Sequence, residues 1–322
     1  MKKLLIIIVS LFLFSCEKSE LPIEGHTMGQ IEMNEISMNS NYSKQLFFNL
    51  TDNLVVKENL KTNWDLAFES SEQGWHILLN SSTLSRLSYL NNYNFEDIID
   101  EDGLVWKWDD PRGIENGTAL LEYPDTTVLY IVDRGFEVDG SQRGLKKLKI
   151  DSINNTSYFI RYSNLDNSDY HSISINKDPN VNFTYLSFDS NNTIDIEPPK
   201  EVWDLLFTQY THLFEDNVET PAYLVTGVYS NYLNDVQITK DSINNFEDIN
   251  SSSITSYAFS NEQNAIGYKW KIYDFDAQIY FVNSQMTYVI KSVSNRYFKL
   301  RFLDFYNNEG EKGFPSFEIQ EL

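Results

Sequence analysis

Trp64-Asp65-Leu66-Ala67-Phe68 and Trp203-Asp204-Leu205-Leu206-Phe207 are one stretch written twice. Alternation in each places the indole, the Leu and the Phe on one face, the period-two pattern of a half-buried strand. A related run precedes each copy: Phe47-Phe48-Asn49-Leu50 before the first, Leu186-Ser187-Phe188-Asp189 before the second. The echoes continue in the same order. Trp106-Lys107-Trp108 is answered by Tyr268-Lys269-Trp270, Leu129-Tyr130-Ile131-Val132 by Thr287-Tyr288-Val289-Ile290, and Phe159-Ile160-Arg161-Tyr162 by Lys299-Leu300-Arg301-Phe302. The first copy then carries an extra segment near Gly135 to Asn155. Collinear recurrence predicts two copies of one unit, each long enough for a small domain, meeting near Asn176 to Asn182. Further runs, among them Trp75 to Leu79 and Tyr223 to Tyr229, are aromatic and β-branched and are separated by Asn, Asp, Gly and Ser. No long 3.6-period stripe appears, and Ile243 to Ile249 has room for one helical turn. The expected class is all-β or mainly β, with tandem β domains at 42–180 and 181–322.

The repeated Asp65 and Asp204 each sit opposite their strand's indole. A carboxylate without a titrating partner is best read as an acceptor for nearby loop amides, not as an acid–base group.

The start of the chain reads differently. Met1-Lys2-Lys3 followed by apolar Leu4 to Phe14 has the form of an export signal, and it is shorter than the ~20 residues of a spanning helix. Leu13-Phe14-Ser15-Cys16 resembles the lipobox of bacterial lipoproteins. Cys16 is the only cysteine among 322 residues, so its thiol has no disulfide partner, and a lipid on its sulfur gives it a purpose. The expectation is a signal over 1–15, a lipid anchor at Cys16 in the outer membrane, and a polar tether over 16–41. Glu17-Lys18-Ser19-Glu20 resembles the acidic signals that send such lipoproteins to the cell surface.

The formal net charge is −22, and loss of Lys2 and Lys3 with the signal takes it to −24. That sign excludes nucleic acid, whose affinity comes from cationic contacts to phosphate. Hydrophobic residues make up 41% and aromatics 15% of the chain, enough for one or two cores and too much for a disordered protein. Metal-site spacings, the Gly-x-Ser-x-Gly elbow and phosphate loops are missing from the sequence, so no enzymatic activity is expected. Asp97 to Asp109 has the look of a calcium loop, but Ile98 stands at the first ligand position, and the segment reads as a solvated acidic turn.

Several second-half stretches together resemble the HmuY-like family of Bacteroidetes lipoproteins. They are Trp203 to Tyr210, Tyr223 to Val228, Ile266-Gly267-Tyr268-Lys269-Trp270, Tyr288-Val289-Ile290, Phe298 to Tyr306 and Lys312-Gly313-Phe314-Pro315. The resemblance covers about Tyr185 to Leu322 well, and the first half mainly through its Trp-Asp-Leu-Ala-Phe strand. It implies an all-β fold, a lipid anchor, haem capture at the cell surface and delivery to an outer-membrane transporter. Family members that capture haem hold the iron with axial His or Met from the second half. Here Lys271-Ile272-Tyr273-Asp274-Phe275, after Trp270, contains neither, and nor does Thr239 to Asn250.

Haem needs an axial donor and an apolar slot. Of four histidines, His26 lies in the expected tether, His76 alternates with apolar residues, and His171 shares a face with Ile173 and Ile175. His212, at the end of the matched strand, is the best-placed donor. Met286 is the second choice, and Tyr210 and Tyr223 could line a flat aromatic ligand. The leading expectation is a binding protein for haem or another flat apolar ligand; the alternative is a structural or adhesive module that binds protein or glycan. Asp125-Thr126-Thr127, Asp151-Ser152-Ile153 and Asp241-Ser242-Ile243 also resemble the tripeptide glycosylated on its hydroxyl residue in exported Bacteroidetes proteins.

Overall fold

The computed structural model describes residues 28–120, 124–214 and 221–322. It is mainly β. The strands are β1 (Glu32–Glu35), β2 (Lys44–Asn49), β3 (Leu54–Leu60), β4 (Leu66–Glu69), β5 (Ile77–Leu79), β6 (Arg86–Leu90) and β7 (Leu129–Asp133). Next come β8 (Leu145–Ile153), β9 (Ser157–Ser163), β10 (His171–Asn176), β11 (Phe183–Ser187), β12 (Asn192–Ile194), β13 (Leu205–Leu213) and β14 (Ala222–Ser230). The last are β15 (Gln237–Asp241), β16 (Lys271–Asp274), β17 (Ile279–Val282), β18 (Thr287–Lys291), β19 (Tyr297–Tyr306) and β20 (Lys312–Glu321). The helical turn expected near Ile243 to Ile249 is a 3-10 turn over Phe246–Asp248.

Two five-stranded sheets run β10-β9-β8-β7-β6 and β1-β20-β19-β18-β15, and two four-stranded sheets run β12-β11-β4-β5 and β3-β2-β13-β14. The orders superimpose term by term, so the repeat is real at the level of topology. Its units, however, do not follow the chain as the sequence suggests. β2 pairs with β13 of the second half and carries β3 on its far edge, while β11 pairs with β4 of the first and carries β12. The division at 180/181 therefore cuts through two sheets. One unit is β4 to β12; the other is β13 to β20 closed by β1 to β3. Gly29 N–H donates to Glu321 O at 3.0 Å, so the two parts of the second unit meet where the loop between β9 and β10 joins their counterparts in the first.

This arrangement corrects the tether. Residues 28–41 are folded: β1 pairs with β20, and Ile36 and Met38 are buried in the second core. Glu32-Met33-Asn34-Glu35 lacks an apolar run because β1 is an edge strand with mostly exposed side chains. It also corrects two echoes. Sheet order matches β8 with β19, so Lys147-Leu148-Lys149-Ile150 is the counterpart of Lys299-Leu300-Arg301-Phe302, and the segment taken as extra holds a strand of the repeat. Lys147 and Lys299 confirm the match. Both are fully buried. Each ammonium is satisfied by loop carbonyls: Lys147 by Asp97 O at 2.7 Å, and Lys299 by Phe246 O and Ile249 O at 2.6 and 2.8 Å. Likewise Leu87 bridges Lys107 where Ile238 bridges Ser260, so Tyr268-Lys269-Trp270 is not the counterpart of Trp106-Lys107-Trp108.

Each unit has its own core. Leu66, Phe68, Leu148, Tyr158 and Leu186 belong to the first; Phe48, Leu205, Phe207, Trp270 and Phe302 belong to the second. A third apolar layer joins the four-stranded sheets through Phe47, Trp64, Ala67, Phe183, Ile196 and Trp203. The indoles therefore face away from Leu66, Phe68, Leu205 and Phe207, with which alternation had grouped them, because each Trp precedes its strand. Trp64 meets Tyr185 and Trp203 meets Phe47 edge-on, both at 5.0 Å and 84°. The aspartates fix the same junction twice. Asp65 accepts Phe188 N–H and Asp204 accepts Leu50 N–H, both at 2.7 Å. Asp65 also binds Arg134 and Arg143 at 2.8 and 3.1 Å. Asp204 takes Val293 N–H at 2.8 Å instead, and burial raises its pKa.

Candidate functional site

A groove of about 410 Å³ opens beside β13 in the second unit. It exists because two glycines let backbones meet. Val228 and Gly267 exchange N–H···O bonds of 3.1 Å. A Cβ on neighbouring Gly227 would lie 2.5 Å from the Gly267 carbonyl oxygen. Gly267 itself has φ +66. Glycine inside a strand marks such close approach. The bridge lays the 262–269 segment along the sheet edge and makes it the outer wall.

Tyr210 and His212 alternate along β13 into this groove. Tyr210 is buried, its ring 4.4 Å from that of Tyr229. His212 lies between Phe214 and Tyr268, each ring centroid 4.9 Å away. Its Nδ1 is buried with no hydrogen-bond partner. Burial, and then Lys269, hold the imidazole below its usual pKa, so the ring is neutral at neutral pH, the form that binds metals. The other two described histidines differ: His76 is bonded to Glu69 and His171 to Asp169 at 2.9 Å. Lys240 and Lys269 line the groove with Arg112 and Glu262, giving it a positive bias within an acidic protein.

The remaining sequence candidates are placed elsewhere. Tyr223 pairs with His212 across β13 and β14 but is exposed and is not part of the groove lining. Met286 packs on the second core, the ordinary use of a lone methionine. The described groove lining thus offers a single imidazole and no second His or Met. Burial raises the pKa of both Tyr210 and Tyr268, which keeps them phenols and weakens them as iron ligands. Among the described residues no group of three or more His, Cys, Asp and Glu is placed to hold a metal ion. Cys16 and His26 lie outside the described residues. Sequence reading missed Tyr268 and the lysines as site residues; Gly227 in an otherwise β-branched strand was the available signal.

The family model described as HmuY protein matches residues 41–319. The chain belongs to the HmuY family. Solved structures similar to this HmuY-family chain include apo PinO from Porphyromonas gingivitis, at 9% identity and TM-score 0.33, covering 91% of this chain and 98% of that one. Another is the apo HmuY analogue of Tannerella forsythia, at 9% identity and TM-score 0.33, covering 92% and 98%. A third is a candidate HmuY-like heme binding protein from Bacteroides vulgatus, at 16% identity and TM-score 0.19, covering 42% and 82%. No curated protein matches the chain.

Proposed function

We propose that this HmuY-family chain is a lipid-anchored binding protein of the outer envelope that captures a flat, apolar, acidic ligand, haem first, in the groove beside β13. The observation that carries this reading is His212: a neutral imidazole without a carboxylate partner, on an aromatic wall beside two lysines. In this role His212 is the single iron donor, Tyr210 and Tyr268 flank the macrocycle, and Lys240 and Lys269 attract its carboxylates. Nothing in the groove requires bond making, so the protein acts by binding and hands its cargo to an outer-membrane transporter. The anchor is the lipid on Cys16, and the protein faces the cell exterior.

Hemin titration of the purified protein, followed in the Soret region, tests the reading. The expected result is a saturable one-to-one red-shifted band, weakened at least about tenfold by His212→Ala, a loss of ~1.4 kcal/mol. A featureless titration, or one indifferent to His212→Ala, refutes haem capture at this groove. Cys16→Ala is expected to move the protein from the membrane to the soluble fraction; unchanged fractionation refutes the anchor.

A further inference from the structure

A second enclosed space lies where the two units meet. It measures about 350 Å³, within the range of small-molecule sites. Both four-stranded sheets supply its floor, including Trp64, Leu78 and Tyr185 from one and Phe47, Trp203 and Leu206 from the other. Its roof is the 109–118 segment, part of the long β6–β7 connection. Arg112 O accepts Gln263 N–H at 2.8 Å and fastens that roof to the opposite unit. Ile114 and Leu233 stand exposed at the rim.

The charged groups are mostly acidic. Among the described residues that line the space there is no Lys or Arg, whereas Asp109, Asp110, Glu115 and Glu197 all take part; Asp110 is paired with Arg112 at 2.6 Å, and His76 with Glu69. Glu197 is the weaker anion: it accepts from Asn182, Phe183 and the Trp203 indole, and burial pushes its pKa up to about 7. Asp109 is different. Its Oδ2 accepts Leu79 N–H and its Oδ1 accepts Ala119 N–H, both at 2.7 Å. A carboxylate oxygen has two acceptor sites, so with respect to the described residues each oxygen keeps one, and no described cation is bonded to the group. Burial pushes its pKa up to about 6, which leaves it ionised at neutral pH. Asp109 acts electrostatically on the Tyr229 and Tyr232 phenols, which line the same space.

We propose that this cavity is a second ligand site, taking a compact aromatic molecule that carries a protonated amine. The aromatic floor receives the ring and, through its π faces, favours a cation. Asp109 supplies the charge-assisted acceptor. The site stands apart from the groove at His212, because a space lined by acids without a Lys or Arg opposes a ligand bearing carboxylates. The two sites sort ligands by charge.

Calorimetric titration of the purified protein with tryptamine and with indole-3-acetate tests this. The two probes share a ring and differ in the charge of the tail. Tryptamine is expected to bind one-to-one and at least about tenfold more tightly than indole-3-acetate. Asp109→Asn removes that preference. Leu78→Trp, which fills the floor, abolishes tryptamine binding and leaves the hemin titration unchanged. Should Asp109→Asn fail to fold, the wild-type ratio and Leu78→Trp still decide the matter. No saturable tryptamine binding, equal binding of both probes, or tryptamine binding that survives Leu78→Trp overturns the proposal. Failure of the hemin titration alone leaves each of these outcomes readable.

Discussion

Phe302→Ala provides a direct test of which strands form a unit. Phe302 is fully buried in the second core, stacked on Trp270 at 4.0 Å and edge-on to Tyr288 and Phe317. Removing such a ring costs about 3–5 kcal/mol in transfer and cavity terms. Near 4 kcal/mol, the opening equilibrium of the unit that contains it rises by about 10³. Residues 44–49 lie more than 250 positions away in sequence. Yet β2 pairs with β13, and Leu46, Phe48 and Leu50 share a core with Phe302. Amide hydrogen exchange on the intact protein, resolved by peptide, is the assay. Amides of 44–49 and 54–60 should accelerate by the same large factor as those of 205–213 and 297–306. Amides of 66–69, 145–163 and 183–187 should change little. The reasoning fails if 44–49 keeps its wild-type protection while 66–69 accelerates, which would return β2 to the first unit. Uniform acceleration of every strand would refute two separable units altogether.

Two further predictions concern buried charge. Asp65→Asn strips the one buried carboxylate from Arg134 and Arg143, leaving them only the more exposed Asp189 and Glu137, and is expected to cost about 3–5 kcal/mol. Asp204→Asn, at the equivalent junction, disturbs only backbone amides and should cost about 1–3 kcal/mol; urea unfolding showing equal or reversed costs would refute the comparison. Lys271 is buried, donating to Thr226 O beneath the Trp270, Tyr280 and Phe305 rings, and burial lowers its pKa to about 7. Its unfolded value is ~10.4, so the unfolded chain binds the extra proton between those values and stability rises with pH from 7 toward 10. Lys271→Met should flatten that rise and stabilise the protein near pH 7, by at most on the order of 4 kcal/mol; a slope that survives the substitution in pH-dependent denaturation contradicts the assignment.

The strand class and the existence of a repeat were legible because they depend on local pattern. Trp64-Asp65-Leu66 and Trp203-Asp204-Leu205 carry both the indole of the central layer and the carboxylate of the junction. Reading Asp204 as an acceptor for loop amides matches its two backbone bonds, and Asp65 adds an ion pair that spacing could not show, since Arg134 and Arg143 arrive from another turn. Pairing partners were not legible. β2 and β11 have the same pattern and either could have joined β4; the choice is made by where the chain enters the sheet. The echo of Phe159 to Tyr162 with Lys299 to Phe302 was an error of the same kind. Both runs end in an aliphatic residue, an arginine and an aromatic, whereas the true counterpart at Lys147 to Ile150 keeps only the buried lysine and its neighbour. Within the groove, Tyr210 and His212 were legible because they alternate on one strand. Tyr268 and Lys269 were not, because they reach the site only through the Gly227–Gly267 contact.

Where the copies diverge bears on function. The scaffold strands and the aspartate junction repeat, but the connection between the third and fourth strands of the shared frame does not. In the first unit that connection, between β6 and β7, crosses to Gln263 and roofs an acidic aromatic cavity. In the second, the corresponding connection between β15 and β18 folds back through Gly267 and builds the wall of a groove lined by His212, Lys240 and Lys269. A buried strand cannot change without disturbing a core, whereas a connection on the surface tolerates insertion. The repeated topology therefore presents two equivalent connections on one frame, and they differ in shape and in the charge of the spaces they line. That the loops meet, with Gln263 N–H of one bonded to Arg112 O of the other, ties the two spaces together at their common border.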